Sequence, residues 1–132
     1  MALDALFGFS FHGEPRPPFD TLLRDLQESG IPVLSVDVPS GWPVDGGTAE
    51  EEQAGGSGSV GGSVGHCLPR TALLRPQGLI SLTAPKMCSL GFEGRHYVGG
   101  RFVPKRMQRE YGLDAVMRLY QGTEMVADVP RV

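Results

Sequence analysis

The chain has 132 residues, which at about 100–200 residues per domain is room for one domain. It carries 12 basic and 15 acidic side chains, a net charge of −3. A generic nucleic-acid binder has a basic excess, so this class of partner is not expected. No uninterrupted apolar run reaches the ~18 residues of a membrane-spanning helix, so no membrane span is expected. The first residues lack the basic region of a signal or transit peptide, so no targeting segment is expected.

The two cysteines indicate the redox environment in which the chain is expected to fold. Cys67 and Cys88 match no metal-binding or Cys-x-x-Cys spacing. Without a secretory signal, two reduced thiols are favoured over a disulfide. We therefore expect an intracellular protein.

Glycine is concentrated in one part of the chain. Eight of the 19 glycines fall between Gly46 and Gly65, together with three consecutive acids and three serines. This composition is typical of a flexible, low-complexity segment. Neither flank by itself is long enough for a hydrophobic core. We therefore interpret residues 46–77 as a flexible Gly/Ser-rich insertion within one domain of residues 1–126, followed by a tail of residues 127–132.

The flank before the insertion predicts a strand, a loop, a helix and a second strand. The run Leu3–Phe7 is short and mostly apolar, which is typical of a buried strand. The apolar stripe of an amphipathic helix follows at Phe19, Leu22, Leu23 and Leu26. The apolar run Ile31–Val38 predicts the second strand. A strand–helix–strand unit of this length places its two strands in parallel.

The flank after the insertion is less regular. It predicts a third strand at Gly78–Thr83, a short helix up to Leu90, a β-hairpin of His96–Val98 and Arg101–Val103 joined by Gly99–Gly100, and a helix from Pro104 to about Tyr111. The residues from Leu113 onward have weak periodicity, and no element is predicted there.

Two carboxylates fall near the ends of predicted strands. Asp37 ends the second strand, and Asp4 lies in the first. In open α/β sheets the carboxyl ends of parallel strands meet at one edge, where ligands bind. A carboxylate there is costly unless it is hydrogen-bonded, bound to an ion or kept for a reaction. From the residues alone, Asp37 is either an acid/base group or a hydrogen-bond acceptor for the following loop, and Ser40 either a cation ligand or a turn residue.

The loop Gly8–Glu14 leaves the first strand toward the same edge. Its two glycines permit the backbone to approach a ligand closely, although the loop is neither Gly-x-Gly-x-x-Gly nor a P-loop. We interpret His12 as a surface residue rather than an acid/base group. Phe9 and Phe11 are expected to contact the core, with ring stacking on a ligand as the alternative.

Four blocks of this sequence point to one family. They are Asp4–Glu14, Val36–Trp42, Leu79–Lys86 and Gly99–Pro104. In this order they resemble the YjeF N-terminal domain family, and its vertebrate members in particular. The family includes NAD(P)HX epimerase, which in vertebrates is also called apolipoprotein A-I-binding protein. The resemblance covers residues 3–45 and 78–126.

The resemblance implies an α/β fold, an incomplete Rossmann-like three-layer α/β/α arrangement with a mostly parallel sheet that lacks its N-terminal half. It implies repair of hydrated NADH and NADPH, together NAD(P)HX, by interconversion of their R and S forms. Asp37 would be the catalytic acid/base, and Asp4 and Ser40 would bind a potassium ion. The implied substrate-binding residues are Gly8, Phe9, Ser10, Phe11, His12, Gly13, Glu14 and Asp37.

The chain also departs from the family pattern. It carries no counterpart of the family's Gly/Asn-rich dinucleotide loop, and its connection from Asp45 to Gln77 is longer than the family's link. We therefore interpret it as a truncated isoform with little or no epimerase activity by itself. The alternative is a non-catalytic protein that binds apolipoprotein A-I and acts in cholesterol efflux and lipid transport. The family implies the cytoplasm or the mitochondrion; an extracellular location is open for relatives, and a homodimer is open for this chain.

Overall fold

The computed structural model describes residues 1–44, 74–90 and 92–130. They form a five-stranded sheet in the order β1-β2-β3-β4-β5. The strands are β1 (Ala2–Asp4), β2 (Val33–Val36), β3 (Gly78–Leu82), β4 (Arg95–Gly99) and β5 (Val126–Asp128), and the helices are α1 (Phe19–Glu28), α2 (Lys105–Glu110) and α3 (Asp114–Met117), with a 3-10 turn at Met87–Ser89. Strands β1 to β4 are parallel, and β5 is antiparallel to β4. The expected α/β fold with a mostly parallel sheet is confirmed.

The unit β1–α1–β2 has the predicted parallel pairing, with a register that ends at Asp4 opposite Ser35. Helix α1 begins at Phe19 as predicted and buries Leu23 from its apolar stripe. Gly30, two residues after α1, has a φ of 65°. Glycine adopts this left-handed conformation at low cost, and it commonly ends helices.

Strand β3 lies between two parallel neighbours. Its residues Leu79 and Ser81, which point to the same face of the sheet, are completely buried. The predicted strand is confirmed to within one residue. It ends at Leu82 because Thr83 has a φ of 69° and leaves the extended conformation.

The predicted hairpin at Gly99–Gly100 is wrong. A two-residue hairpin turn of the Gly–Gly type needs positive φ at both positions, whereas only Gly100 has one, of 90°. Gly99 is the last residue of β4, and the segment Arg101–Val103 forms no strand. The guanidinium of Arg101 instead donates to the carbonyls of Gly122 and Glu124, which holds the segment beside the chain that leads to β5.

The antiparallel partner of β4 comes from the region for which the sequence predicted no element. Val98 on β4 lies opposite Ala127 on β5. Both are buried with Tyr120 in a small core, against which Val116, Met117, Leu119 and Val129 are packed. The predicted domain boundary at residue 126 therefore falls inside β5. Helix α2 follows Pro104, close to the predicted bounds.

Most of the predicted insertion, with Cys67, lies outside the described residues. Its last part, residues 74–77, packs against the sheet. Leu74 is buried, and its carbonyl accepts the indole N–H of Trp42 at 2.7 Å. Gln77 exchanges hydrogen bonds with the backbone of Val33. In the described part of the chain, no helix has both the length and the apolar character needed to cross a membrane.

Candidate functional site

Asp4 and Asp37 lie at the same edge of the sheet. Asp4 is the last residue of β1 and pairs with Ser35, and Asp37 follows the end of the parallel strand β2. A rise of ~3.3 Å per residue and a strand spacing of ~4.8 Å place the two Cα atoms about 8 Å apart. The juxtaposition expected from the sequence is therefore present.

Asp4 is buried in a set of serine hydrogen bonds. Only 2% of the residue is exposed. Its Oδ2 accepts from the Ser35 hydroxyl at 2.8 Å and from the Ser40 amide at 2.9 Å, and its Oδ1 accepts from the Ser40 hydroxyl at 2.6 Å. The contribution of Ser35 was not foreseen, because it depends on the register between β1 and β2.

Asp4 and Ser40 fit a cation by the chemistry of their donors. Carboxylate and hydroxyl oxygens suit hard cations, and a buried carboxylate is costly without a compensating charge. Within residues 1–44, 74–90 and 92–130, no basic side chain forms an ion pair with Asp4. In the same ranges no three His, Cys, Asp or Glu side chains come together as a metal-binding group, so the donor set does not resemble a transition-metal site.

Asp37 is held from two sides in an unusual backbone conformation. Its φ is 73°, which is rare for a residue with a side chain. The carboxylate Oδ2 accepts the Phe9 amide at 2.9 Å, and Oδ1 forms an ion pair with Lys86. Burial opposes the charged form of Asp37, but the Lys86 and Phe9 hydrogen bonds and the Lys86 charge outweigh it, so its pKa lies below the ordinary 3.8.

Lys86 belongs to the site although its role was not predicted from the sequence. It follows β3, and its ammonium group donates to the Leu82 carbonyl at 2.7 Å as well as to Asp37. Its position in the sequence could have indicated this role. A basic residue shortly after the third predicted strand lies at the same sheet edge as the carboxylates. What the sequence could not give is the turn at Thr83, which directs the chain back over the strand end.

The loop Gly8–Glu14 contacts Asp37 through its first two residues. A Cβ on Gly8 would lie 3.0 Å from Asp37 Oδ2, so a side chain there would crowd the carboxylate. The ring of Phe11 stacks on Phe7 at 3.9 Å, whereas Phe9 is 55% exposed. The other loop residues, Ser10, His12, Gly13 and Glu14, are exposed. Phe11 is half-buried against Phe7, whereas the ring of Phe9, which was expected to contact the core, faces solvent beside the site.

A second polar pair lies next to this site on β3 and β4. The Ser81 hydroxyl is 2.9 Å from Nε2 of His96, and the Phe92 ring meets the imidazole edge-on. Burial, followed by the positive charge of Lys86, lowers the pKa of His96. His96 also lines a cleft of about 1000 Å³. The sequence predicts a strand at His96 and indicates no functional role for it.

Comparison with known proteins identifies the family. The profile of the family described as YjeF-related protein N-terminus matches residues 1–88. The chain belongs to this family. The resemblance carried by the four sequence blocks is therefore confirmed.

Two of the relatives share the name of one enzyme. The chain is 38% identical over 132 residues to the NAD(P)H-hydrate epimerase of Puccinia graminis f. sp. tritici, covering 100% of this chain and 46% of the relative. It is 39% identical over 129 residues to that of Caenorhabditis briggsae, covering 98% and 47%. The crystal structure of yeast YNL200c superposes with a TM-score of 0.71 at 32% identity, covering 96% of this chain and 45% of the yeast chain. The chain thus spans about half the length of each of these three proteins.

Proposed function

We propose that this chain carries the acid/base site of an NAD(P)H-hydrate epimerase, which interconverts the R and S forms of hydrated NADH and NADPH. The observation that carries the proposal is Asp37: a half-buried carboxylate in a left-handed backbone conformation, at the carboxyl edge of a parallel sheet. The names of the relatives support the same substrate.

The chemistry suits a positioned carboxylate. The stereocentre of the hydrate is a ring carbon that bears a hydroxyl group, and its inversion needs proton transfer. Because the pKa of Asp37 lies below 3.8, the group is ionised at neutral pH. In this form it accepts a hydrogen bond from the substrate hydroxyl, and it can take the hydroxyl proton as a bond at the ring carbon breaks and return it when that bond re-forms on the opposite face.

The substrate-binding role of residues 8–14 is part of the proposal. Gly8 leaves room beside Asp37, and the exposed ring of Phe9 offers a flat apolar face for a nicotinamide-type ring. Ser10, His12, Gly13 and Glu14 are solvent-accessible and can contact the ribose or phosphates of the nucleotide. Phe11 supports the loop by its stacking on Phe7.

We further propose that Asp4 and Ser40 hold a potassium ion. When bound, this ion supplies the positive charge that the buried Asp4 carboxylate lacks among the described side chains. Ser40 also accepts the Phe7 amide at 3.2 Å, so the same residue connects the ion site to the start of the substrate loop. A melting temperature that is higher in KCl than in tetramethylammonium chloride of equal ionic strength, with the difference lost in Asp4→Asn, supports the ion; equal melting temperatures in the two salts contradict it.

Nucleotide binding tests the proposed function. We expect hydrated NADPH to shift the NMR amide resonances of Phe9, Gly13 and Asp37 in the isotope-labelled chain, and Asp37→Asn to weaken binding by about tenfold. Asp25→Asn on the exposed face of α1 is the matched control. Absence of any shift at millimolar nucleotide would remove the proposal.

Turnover is the second readout. The expectation from the sequence is that the chain by itself epimerises the hydrates slowly or not at all. Turnover that Asp37→Asn abolishes would contradict that expectation and support the site. Apolipoprotein A-I binding, a homodimer and an intracellular location stay predictions. A lipoprotein pull-down at micromolar concentration tests the first, and its failure removes the alternative function.

A further inference from the structure

We infer that Lys86 is the positioning residue of this site: its ammonium group holds the Asp37 carboxylate in the orientation that binds the substrate loop. The inference rests on the proposed function for its chemical meaning, because it concerns the same carboxylate. It goes beyond that function in assigning a role to a residue of the segment after β3.

The contacts form a chain across three neighbouring elements. Lys86 is anchored at the end of β3 by the Leu82 carbonyl and reaches Oδ1 of Asp37 after β2. The other carboxylate oxygen of Asp37, Oδ2, accepts the Phe9 amide of the loop. With Oδ1 committed to the ammonium group, Oδ2 faces the loop. The position of Phe9 therefore depends on Lys86 through Asp37.

Two residues beside this ion pair, Asp37 and Thr83, have a positive φ. The Asp37 amide donates to the Ile80 carbonyl at 2.7 Å, which ties the end of β2 to β3. Thr83 has a φ of 69° although it is β-branched, and its amide donates to the Gly99 carbonyl at 2.7 Å. A positive φ is unfavourable for both residue types and persists only where the surrounding structure imposes it. The two bends bring Lys86 and Asp37 together.

A surface ion pair would carry no such role, because exposed pairs contribute about 0–1 kcal/mol and are loosely oriented. Here the side chains of Lys86 and Asp37 are only 14% and 16% exposed. Among the described residues, three groups matter for this pair: the Lys86 ammonium faces Asp37 from the segment after β3, the Asp4 carboxylate lies at the end of β1 at the same sheet edge, and His96 on β4 lies close enough for the Lys86 charge to lower its pKa. The sequence contains a single other lysine, Lys105, which is exposed on α2.

The experiment is a pH titration of the Asp37 carboxyl carbon by NMR in the full chain, assigned with Asp37→Asn. We expect Lys86→Met to raise the Asp37 pKa by about one unit or more, a tenfold change in proton affinity, and to speed hydrogen exchange of the Phe9 amide about tenfold. Lys86→Arg keeps the charge. In this variant the proton affinity of Asp37 and the exchange rate of the Phe9 amide should both lie within about threefold of the wild-type values. Lys105→Met is the matched control and should change neither.

Two results overturn the inference. One is an Asp37 pKa in Lys86→Met within about 0.3 unit of the wild type. The other is failure of Lys86→Arg to restore the wild-type values, since the effect would then not follow the charge. If Lys86→Met does not fold, a pH titration of the wild-type chain still tests the inference. The Phe9 amide resonance must then titrate with the same midpoint as the Asp37 carboxyl carbon. Different midpoints overturn the inference.

The titration and the nucleotide experiment can fail independently. If the titration of Asp37 depends on Lys86 but the chain binds no nucleotide, the positioning role stands and the proposed function is removed. Nucleotide binding that depends on Asp37 but is unchanged in a folded Lys86→Met variant keeps the function and removes the positioning role.

Discussion

The hydroxyl of Ser40 donates to Oδ1 of Asp4 over 2.6 Å, and the two residues are among the most buried polar groups described, with 1% and 2% of their surfaces exposed. The same hydroxyl oxygen accepts the Phe7 amide. Ser40 therefore links the end of β1, the loop after β2 and the start of the substrate loop. A buried carboxylate at this place depends on every donor it has.

Ser40→Ala should lower the free energy of unfolding by about 1–3 kcal/mol, because it removes one of the donors to a buried carboxylate. Urea denaturation followed by circular dichroism measures the change. The control is Ser10→Ala in the exposed part of the loop, which should stay within about 0.5 kcal/mol of the wild type. Equal stability of the two variants would show that Asp4 does not rely on the Ser40 hydroxyl.

Gly8→Ala should weaken nucleotide binding by about tenfold with little effect on stability. The added methyl group would lie 3.0 Å from Asp37 Oδ2, which is tighter than nine in ten Cβ contacts. The carboxylate must therefore shift by a few tenths of an ångström, which disturbs its hydrogen bond to the Phe9 amide. Titration of hydrated NADPH by NMR, beside a urea denaturation of the same variant, separates the two effects. The idea fails if binding matches that of Asp25→Asn, whose side chain is exposed on α1.

The site could be predicted in outline because its carboxylates belong to elements with strong local signals. The apolar run Leu3–Phe7 that contains Asp4, the run that leads to Asp37 and the helical stripe between them define a parallel unit, and parallel strands place their carboxyl ends together. The predicted bounds of the first strand were wrong, because β1 spans Ala2–Asp4. Ser35 and Lys86 depend on register and on a bend at Thr83, neither of which a local pattern encodes. Similarly, Gly99–Gly100 has the composition of a hairpin turn, but β4 receives β5 from residues 126–128, a pairing decided by burial of Val98 and Ala127.

Stability should decrease on mild acidification because of His96. Burial and the Lys86 charge lower its pKa below 6.5 in the folded chain, so the unfolded chain takes up a proton first as the pH falls. The stability that neutral His96 contributes is therefore complete above pH 6.5. It is lost as the pH falls from 6.5 toward the pKa of His96 in the folded chain, by about 1.4 kcal/mol for each pH unit that separates the unfolded and folded pKa values.

Urea denaturation between about pH 7.5 and pH 5 measures this loss. His96→Gln should flatten the pH dependence in this range, since glutamine does not titrate and its amide can still bond with the Ser81 hydroxyl. His12→Gln is the control, because His12 is exposed in the loop. A wild-type slope in His96→Gln would assign the pH dependence to another group.

Tyr120→Phe should leave the chain as stable as the wild type or more stable, by up to about 1 kcal/mol. The Tyr120 hydroxyl is buried and has no hydrogen-bond partner among the described residues, and burial raises its pKa. Removing a buried, unpaired hydroxyl removes its desolvation cost. The ring keeps its place in the core with Val98 and Ala127 and its contact with the Arg101 guanidinium, 5.6 Å from the ring centroid.

Tyr111→Phe at an exposed position is the matched control, and urea denaturation measures both. A loss of more than about 1 kcal/mol in Tyr120→Phe alone would mean that the hydroxyl does have a partner in solution.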